Sequence, residues 1–227
     1  MKQIILIPLL LSLNSSIYSQ WVRTSYYGPF SITLMSSYSD TIFLSNENAN
    51  NYLSTDHGDH WTRLNSLGIN IDHMFLYSMW FSGNRILAGT SEGIYLSEDK
   101  GQNFTLQNQA DRISCFINYQ NKLMAGNIAG FGGPRLFVSS DQGMNWAISG
   151  SGLPVDAYDI YCLEEYNGML IAGTDYGVFY TDDIDSGWNE MTGITGYPGV
   201  YALLKVGNRL YCGTGRGLYY TDEITAD

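Results

Sequence analysis

The chain has 227 residues, of which 44% are hydrophobic and 14% aromatic. This is enough apolar material for a packed core, and the length alone predicts one or two domains. Eleven lysine and arginine residues against twenty-two acidic residues give a formal net charge of −11. A surface of this sign is unsuited to nucleic acid phosphates or to an anionic membrane, so neither is expected as a partner.

Residues 1–20 predict a cleaved secretory signal peptide. Lys2 supplies a positive start, residues 4–13 form an apolar run of ten, and residues 15–19 form a small and polar exit. Ten apolar residues are too few to span a bilayer of about 30 Å as a helix. We therefore expect a mature chain that is secreted, periplasmic or at the cell surface, with no insertion into the membrane.

One short motif, Ser/Thr-x-Asp-x-Gly-x-x-Trp/Phe, recurs from residue 54 onward. It is complete at 54–61, 97–104 and 139–146, degraded at 181–188, where Asp185 replaces the glycine, and partial from Thr221. Its acidic position recurs in steps of 43, 42, 42 and 40 residues. A period near 42 filled with short strand-like segments is typical of a radial β array. The motif residues, for which we predict a structural role, are Ser54, Asp56, Gly58, Trp61, Ser97, Asp99, Gly101, Phe104, Ser139, Asp141, Gly143, Trp146, Thr181, Asp183 and Trp188.

Each repeat reads as four short strands joined by turns, which predicts one antiparallel sheet per repeat. An apolar run comes first, then a Gly/Asn turn, a strand ending in small residues such as 86–90 (ILAGT), and an aromatic-containing strand such as 94–97 (IYLS). The fourth strand begins at the aromatic residue of the motif. Within the motif, the aspartate can accept backbone N–H bonds, the glycine permits a positive φ, and the aromatic residue can wedge against the next sheet.

The motif and its period resemble the BNR/Asp-box repeats of sialidase-like, sortilin-like and photosystem II assembly factor-like β-propellers. The resemblance covers most of residues 21–227. It implies an all-β propeller, with the Asp boxes as structural turns at the blade rim and binding on the opposite face. The predicted blades are 30–64, 72–107, 113–149, 158–191 and 200–227.

The fifth predicted blade lacks its fourth strand. Residues 21–24 (WVRT) resemble residues 61–64 (WTRL), which begin a fourth strand. We predict that residues 21–25 pair with 218–221 and complete the last of about five blades. The alternative, equally open at this point, is that the chain is a fragment of a larger propeller.

The three cysteines occupy repeat positions filled elsewhere by small residues. Cys115 and Cys162 share the position of Ser78 and Ala202, and Cys212 stands where other repeats have alanine. We expect them to act as small hydrophobic residues, while a Cys162–Cys212 bridge stays open.

Long loops on the face opposite the Asp boxes supply the candidate binding residues. Residues 46–51 and 127–135 lie between second and third strands, and 149–157 and 193–199 lie between blades. Extra loop length on one face is often functional, although a neutral insertion gives the same pattern. The predicted binding residues are Phe131, Arg135, Asp156, Tyr197 and Arg216.

Catalysis is less well supported by the sequence than binding. The resemblance to sialidases fails at the early Phe/Tyr-Arg-Ile/Leu-Pro motif and at the arginine triad of that family, so sialidase activity is not expected. The alternative function is a glycoside hydrolase that uses a carboxylate pair about 5–10 Å apart in the central depression. The residues that could supply such a pair are Asp72, Asp111, Asp156, Asp159, Glu164 and Asp175.

No metal or cofactor is expected. His57 and His60 form an HxxH pattern, but they occupy variable positions of the first Asp box, and zinc needs three or four converging ligands. The sequence therefore predicts an exported, non-catalytic binding or scaffold module whose partner is a glycan or an extracellular protein. It predicts nothing about oligomeric state.

Overall fold

The computed structural model describes residues 30–64, 74–110, 112–129, 135–149, 153, 157, 159–194, 196 and 198–224. These residues form nineteen strands and almost no helix, as the sequence predicted. The strands are β1 Ile32–Tyr38, β2 Thr41–Asn46, β3 Asn51–Ser54, β4 Thr62–Arg63, β5 Leu76–Ser82, β6 Arg85–Thr90, β7 Gly93–Ser97, β8 Thr105–Gln109, β9 Ile113–Tyr119, β10 Lys122–Asn127, β11 Leu136–Ser139, β12 Ala147–Ser149, β13 Ile160–Tyr166, β14 Met169–Thr174, β15 Val178–Thr181, β16 Asn189–Glu190, β17 Val200–Val206, β18 Arg209–Thr214 and β19 Gly217–Thr221.

The strands pair in chain order into five antiparallel sheets, which are the blades of a β-propeller. Blades 1 to 4 are β1–β4, β5–β8, β9–β12 and β13–β16, with four strands each, and blade 5 contains the three described strands β17–β19. This confirms the predicted fold class. Two-residue turns join the first and second strands of every blade, and residues in them such as Gly83 and Asn167 have positive φ, as tight hairpins require.

The core lies between blades rather than within them. Each first strand packs against the first strand of the next blade, from β1 to β5, β9, β13 and β17. Four clusters of buried side chains fill the four spaces between consecutive blades. Alternate side chains of one strand point to opposite faces of its sheet. Thus Ile86 and Ala88 of blade 2 pack toward blade 1, whereas Leu87 packs toward blade 3.

A glycine in the second strand of blades 2, 3 and 4 allows the next blade to approach closely. A Cβ built on Gly89 would lie 2.6 Å from the carbonyl oxygen of Ile113 in the next blade, and one on Gly126 would lie 2.6 Å from Cγ2 of Ile160. Gly173 meets Val200 in the same way. The small residues predicted at this place are therefore required by the blade-to-blade distance.

Hydroxyl groups reinforce the same contacts. Ser78 Oγ donates to the carbonyl oxygen of Ile113 at 2.8 Å, and Ser114 Oγ donates to that of Ile160. The fully buried Tyr166 ends β13, and its hydroxyl contacts the carbonyl oxygens of Asn208 (2.6 Å) and Asp222 (2.7 Å) in blade 5. These bonds fix the tilt of one blade on the next.

The ends of the blade series differ from its interior. Within the described residues, β1 and β17 do not pack against each other as neighbouring first strands do. No described strand pairs with the outer edge of β19. The predicted closing strand, residues 21–25, and the signal peptide, residues 1–20, lie outside the described residues.

The three cysteines are free in the structure. Cys115 and Cys162 are partly buried, and Cys212 is 5% exposed. Burial raises the pKa of Cys115 and of Cys212 to about 11, so the thiols stay protonated at neutral pH. They pack as small apolar groups, and the Cys162–Cys212 bridge is not formed.

Candidate functional site

The Asp-box turns of blades 1 to 3 share one hydrogen-bond pattern. In the second turn, Ser97 Oγ donates to Asp99 Oδ1 at 2.8 Å and accepts the N–H of Gly101 at 2.7 Å. The other end of the same carboxylate accepts from Asn103 Nδ2 at 2.7 Å. The first and third turns repeat these serine contacts, through Ser54, Asp56 and Gly58 in the first and Ser139, Asp141 and Gly143 in the third.

The aromatic residues of the second and third turns, Phe104 and Trp146, pack between two blades. Phe104 is 3% exposed and lies with Leu64 of blade 1 and with Ile86, Ala88 and Tyr95 of blade 2. Trp61 and Trp146 each donate their indole N–H to the carbonyl oxygen of the motif glycine at 3.0 Å.

The fourth turn is built differently. Asp183 Oδ1 accepts the N–H of Asp185 at 3.0 Å, and Asp183 Oδ2 accepts from Ser186 Oγ at 2.5 Å. In the complete motifs, Gly101 and Gly143 have positive φ, and a Cβ on them would lie 2.7 Å from Phe43 and 2.8 Å from Leu87 of the preceding blade. The fourth turn instead buries Ile184 against blade 3, which removes the need for glycine.

The aspartate carboxylates of these turns accept hydrogen bonds from residues of the same turn. The N–H of His60 and then its side chain lower the pKa of Asp56 to about 2. Hydrogen bonds from the side chain and N–H of Asn145 lower the pKa of Asp141 to about 2. Groups held so firmly ionised are poor proton donors or acceptors at neutral pH.

The two histidines of the first Asp box do not converge. His60 Nδ1 lies 2.6 Å from Asp56 Oδ2, whereas His57 Nε2 lies 3.6 Å from Asp40 Oδ1. Across the described ranges, no three histidine, cysteine, aspartate or glutamate side chains cluster in a way that could hold a metal ion.

Two of the five predicted binding residues belong to the described structure, both exposed and on the face opposite the Asp boxes. Arg135 directly precedes β11, and its N–H donates to Asn127 Oδ1 at 2.8 Å. Arg216 sits in the β18–β19 turn, where its N–H donates to Thr214 Oγ1 at 3.1 Å. Arg135 belongs to blade 3 and Arg216 to blade 5. Phe131, Asp156 and Tyr197 lie outside the described residues.

The same face carries a group of side chains that the sequence did not single out as a site. Tyr161 and Tyr201, on the first strands of blades 4 and 5, have ring centroids 5.1 Å apart and ring planes at 35°. Tyr161 Oη donates to Asp159 Oδ2 at 3.2 Å, and the N–H of Asp159 donates to Asp175 Oδ1 at 3.0 Å. We call these four residues, Asp159, Tyr161, Asp175 and Tyr201, the tyrosine rim.

The backbone explains why both tyrosines face the rim. The ladder between first and second strands shifts register between Ile160 and Cys162 in blade 4, and between Val200 and Ala202 in blade 5. Each tyrosine is therefore the extra residue of a β-bulge, and bulges redirect a side chain out of the regular alternation. Tyr77 occupies the same place in blade 2. The repeat alignment contained this signal, because tyrosine recurs directly after the first apolar residue of three blades.

The chemistry of the rim favours binding over catalysis. Burial, followed by the nearby Asp159 carboxylate, raises the pKa of Tyr161 to about 12. Its phenol therefore stays protonated and donates a hydrogen bond, which is the reverse of an activated nucleophile. Tyr201 is 61% exposed and presents a ring face to solvent.

Three of the six candidate carboxylates for a hydrolase can be placed. Asp159 and Asp175 meet in the rim, where both accept the hydrogen bonds described above. Glu164 lies within β13, and its Oε1 accepts the N–H of Glu165 at 3.1 Å. Asp72, Asp111 and Asp156 lie outside the described residues.

No protein-family model matches this sequence, and no curated protein matches it either. Several solved structures share its fold. It is similar to an ancestral GH74 enzyme (TM-score 0.65, 16% identity, 81% of this chain and 27% of that one). It is also similar to the extracellular domain of a putative hybrid two-component system from B. thetaiotaomicron (TM-score 0.70, 15% identity, 88% and 28%). A third is YCF48 from Cyanidioschyzon merolae (TM-score 0.60, 14% identity, 86% and 70%).

These likenesses show the fold. That fold is the β-propeller. YCF48 has also been solved bound to D1 peptide, and that structure matches with a TM-score of 0.59 at 15% identity. The chain spans less than a third of the first two proteins. No helix that could cross a membrane occurs in the part of the chain that the structure describes.

Proposed function

We propose that this chain is an exported, non-catalytic propeller module that binds a glycan or an extracellular protein through the tyrosine rim. The observation that carries the proposal is the exposed ring of Tyr201 packed at a tilt against Tyr161 beside two carboxylates. Such a group offers an apolar face for stacking together with hydrogen-bond acceptors, which suits sugar rings and extended peptides.

Four further observations support this function. The aspartate carboxylates of the Asp boxes accept hydrogen bonds within their own turns, so the rim face is the better candidate. The acid-rich composition favours neutral or cationic ligands over anionic ones. The relatives in fold include an extracellular domain and a propeller solved with a peptide. The N-terminal pattern of residues 1–20 supports export to the compartment where such partners occur.

A glycoside hydrolase is the second candidate, and the meeting of Asp159 with Asp175 favours it. Hydrolases of this kind place two carboxylates on either side of the scissile bond. In the rim, however, Asp175 orients the backbone of Asp159, and Asp159 in turn accepts from Tyr161. This arrangement suits the ordering of a surface, and it leaves the binding function as the better conclusion.

An array of neutral and anionic oligosaccharides and of extended peptides tests the proposal, alongside hydrolysis of chromogenic glycosides. We expect binding to a neutral or cationic subset and no turnover. The variants Asp159→Asn and Asp175→Asn distinguish the candidates. Turnover by the wild-type chain that either substitution abolishes would overturn the binding function and establish the hydrolase.

A further inference from the structure

The first strands of blades 1, 3 and 4 end in a tyrosine at the same ladder position. Tyr38, Tyr119 and Tyr166 each pair with the first residue of the second strand, next to the two-residue turn. Tyr119 and Tyr166 are 4% and 0% exposed, whereas Tyr38 is 44% exposed. One position of the repeat thus has two different environments.

The two buried tyrosines lie in equivalent pockets of the next blade. Tyr119 packs in one cluster with Leu170 of blade 4, and its hydroxyl donates to the carbonyl oxygen of Gly168 at 2.7 Å. Tyr166 packs likewise with Leu210 of blade 5, where its hydroxyl contacts carbonyl oxygens of the hairpin and of the Asp box. We call the space that holds such a ring a tyrosine pocket. Each of these two tyrosine pockets holds one phenol ring and satisfies its hydroxyl.

Tyr38 is oriented differently. Its ring stacks on Phe81 of blade 2, with centroids 5.6 Å apart and ring planes within 3° of each other. Phe81 has the ladder position that Glu165 has in blade 4 and Lys205 in blade 5. The buried tyrosines therefore have a polar neighbour there, whereas Tyr38 has an aromatic ring on which to stack.

A cavity of about 250 Å³ lies between blades 1 and 2 beside these stacked rings. Its lining includes Tyr38, Phe81 and Ile86. Ile86 has the ladder position of Leu170 and Leu210, the residues that pack with the buried tyrosines. The cavity is therefore the tyrosine pocket of this junction. Since an engineered cavity of about 150 Å³ is enough to bind benzene, one six-membered ring fits into it.

The polar part of the lining suits a ring that carries a hydroxyl. Gly83 belongs to the hairpin of blade 2, and the hairpins of blades 4 and 5 are the ones that accept the tyrosine hydroxyls. Asp40, Thr55 and Lys100 also line the cavity and add hydrogen-bonding groups of both kinds. A hydrocarbon ring would leave such groups without a partner, which costs free energy.

We propose that this cavity binds a small phenol, whose ring takes the place that a tyrosine side chain has in the two filled tyrosine pockets. The ring packs between Ile86 and Phe81, and the hydroxyl bonds to the polar lining. The cavity lies on the Asp-box face, where Tyr38 ends its strand, and not at the tyrosine rim. The proposal therefore stands independently of the proposed function.

Titration of the full chain with p-cresol, followed by backbone amide chemical shifts, tests the proposal. The eight non-hydrogen atoms of p-cresol, at an ordinary ligand efficiency, correspond to a Kd of about 1 mM or tighter. Toluene has the same shape without the hydroxyl, and we expect it to bind about threefold to tenfold more weakly because one hydrogen bond is lost. Absence of saturable p-cresol binding would overturn the proposal, because the Tyr38 ring then fills the cavity itself. Equal affinity for toluene would overturn it too, because the polar lining then selects nothing.

A matched pair of variants locates the site. Thr55 and Ser140 are both exposed and both stand second in their Asp boxes, in blades 1 and 3. Thr55→Trp covers the cavity from its exposed side, whereas Ser140→Trp makes the same change beside a junction whose pocket Tyr119 already fills. We expect Thr55→Trp to weaken p-cresol binding about tenfold or more and Ser140→Trp to bind as wild type does. Unchanged binding by Thr55→Trp, or an equal loss in both variants, would place the phenol elsewhere and refute the assignment.

Discussion

The close approach of the blades makes a quantitative prediction about one repeated glycine. In Gly89→Ala, the new methyl group would lie 2.6 Å from the carbonyl oxygen of Ile113 and 2.8 Å from its Cγ2. It would also displace Ser78, whose hydroxyl donates to that carbonyl. Overpacking costs about 1–3 kcal/mol, and the lost hydrogen bond about 1 kcal/mol more. For a chain of this size, the midpoint of thermal unfolding should fall by roughly 5–15 °C.

The matched control is Gly213→Ala, the same substitution at the same ladder position of blade 5. Its Cβ has nothing closer than 3.5 Å, so no clash is expected. Replacing glycine by alanine in a permitted conformation stabilises by about 0.4–1 kcal/mol through the unfolded state. Thermal unfolding followed by far-UV circular dichroism, at a concentration where the chain is monomeric, measures both. A Gly89→Ala midpoint equal to wild type, or an equal loss in Gly213→Ala, would refute the packing argument.

Two further predictions concern buried hydroxyls and acid stability. Tyr166→Phe removes the single hydroxyl proton shared between the carbonyl oxygens of Asn208 and Asp222, so the urea midpoint should fall by the equivalent of about 1–3 kcal/mol; an unchanged midpoint would show that this hydroxyl contributes nothing. The pKa of Asp141 is lowered in the folded chain, so its stabilisation is complete above its ordinary pKa of 3.8 and is lost as the pH falls toward 2. Asp141→Asn should therefore reduce stability at pH 7 and flatten the decline between pH 4 and 2, as urea titrations at each pH would show; a decline as steep as in wild type contradicts this.

Much of the fold could be predicted because the same local sequence pattern recurs in each blade. The apolar strands that end in small residues, such as Arg85–Thr90, the two-residue turns and the period near 42 are local patterns, and they predicted the strands, sheets and class correctly. Contacts between blades are less accessible to sequence reasoning. Whether Gly213 receives a neighbour depends on where the last blade lies relative to the first, and no local pattern specifies that distance.

The candidate site shows the same limit. The sequence predicted Arg135 and Arg216 as binding residues, but the two lie on separate blades. Tyr161 and Tyr201 belong to regular strands forty residues apart, and their contact follows from blade packing and from two β-bulges. The recurring tyrosine marks this position in the sequence, but the bulge itself is set by ladder register, which the residue pattern does not specify.

The central claim is that this chain binds its partner at the tyrosine rim. Calorimetric titration of the strongest array ligand into wild type, Tyr201→Ala and Tyr38→Ala tests it most directly. Tyr38 is a suitable control because it is 44% exposed and lies at the far end of a first strand, on the Asp-box face. Loss of a stacking tyrosine typically costs 2 kcal/mol or more, so Tyr201→Ala should bind about thirtyfold more weakly while Tyr38→Ala binds as wild type does. Equal affinity of all three proteins would contradict the claim.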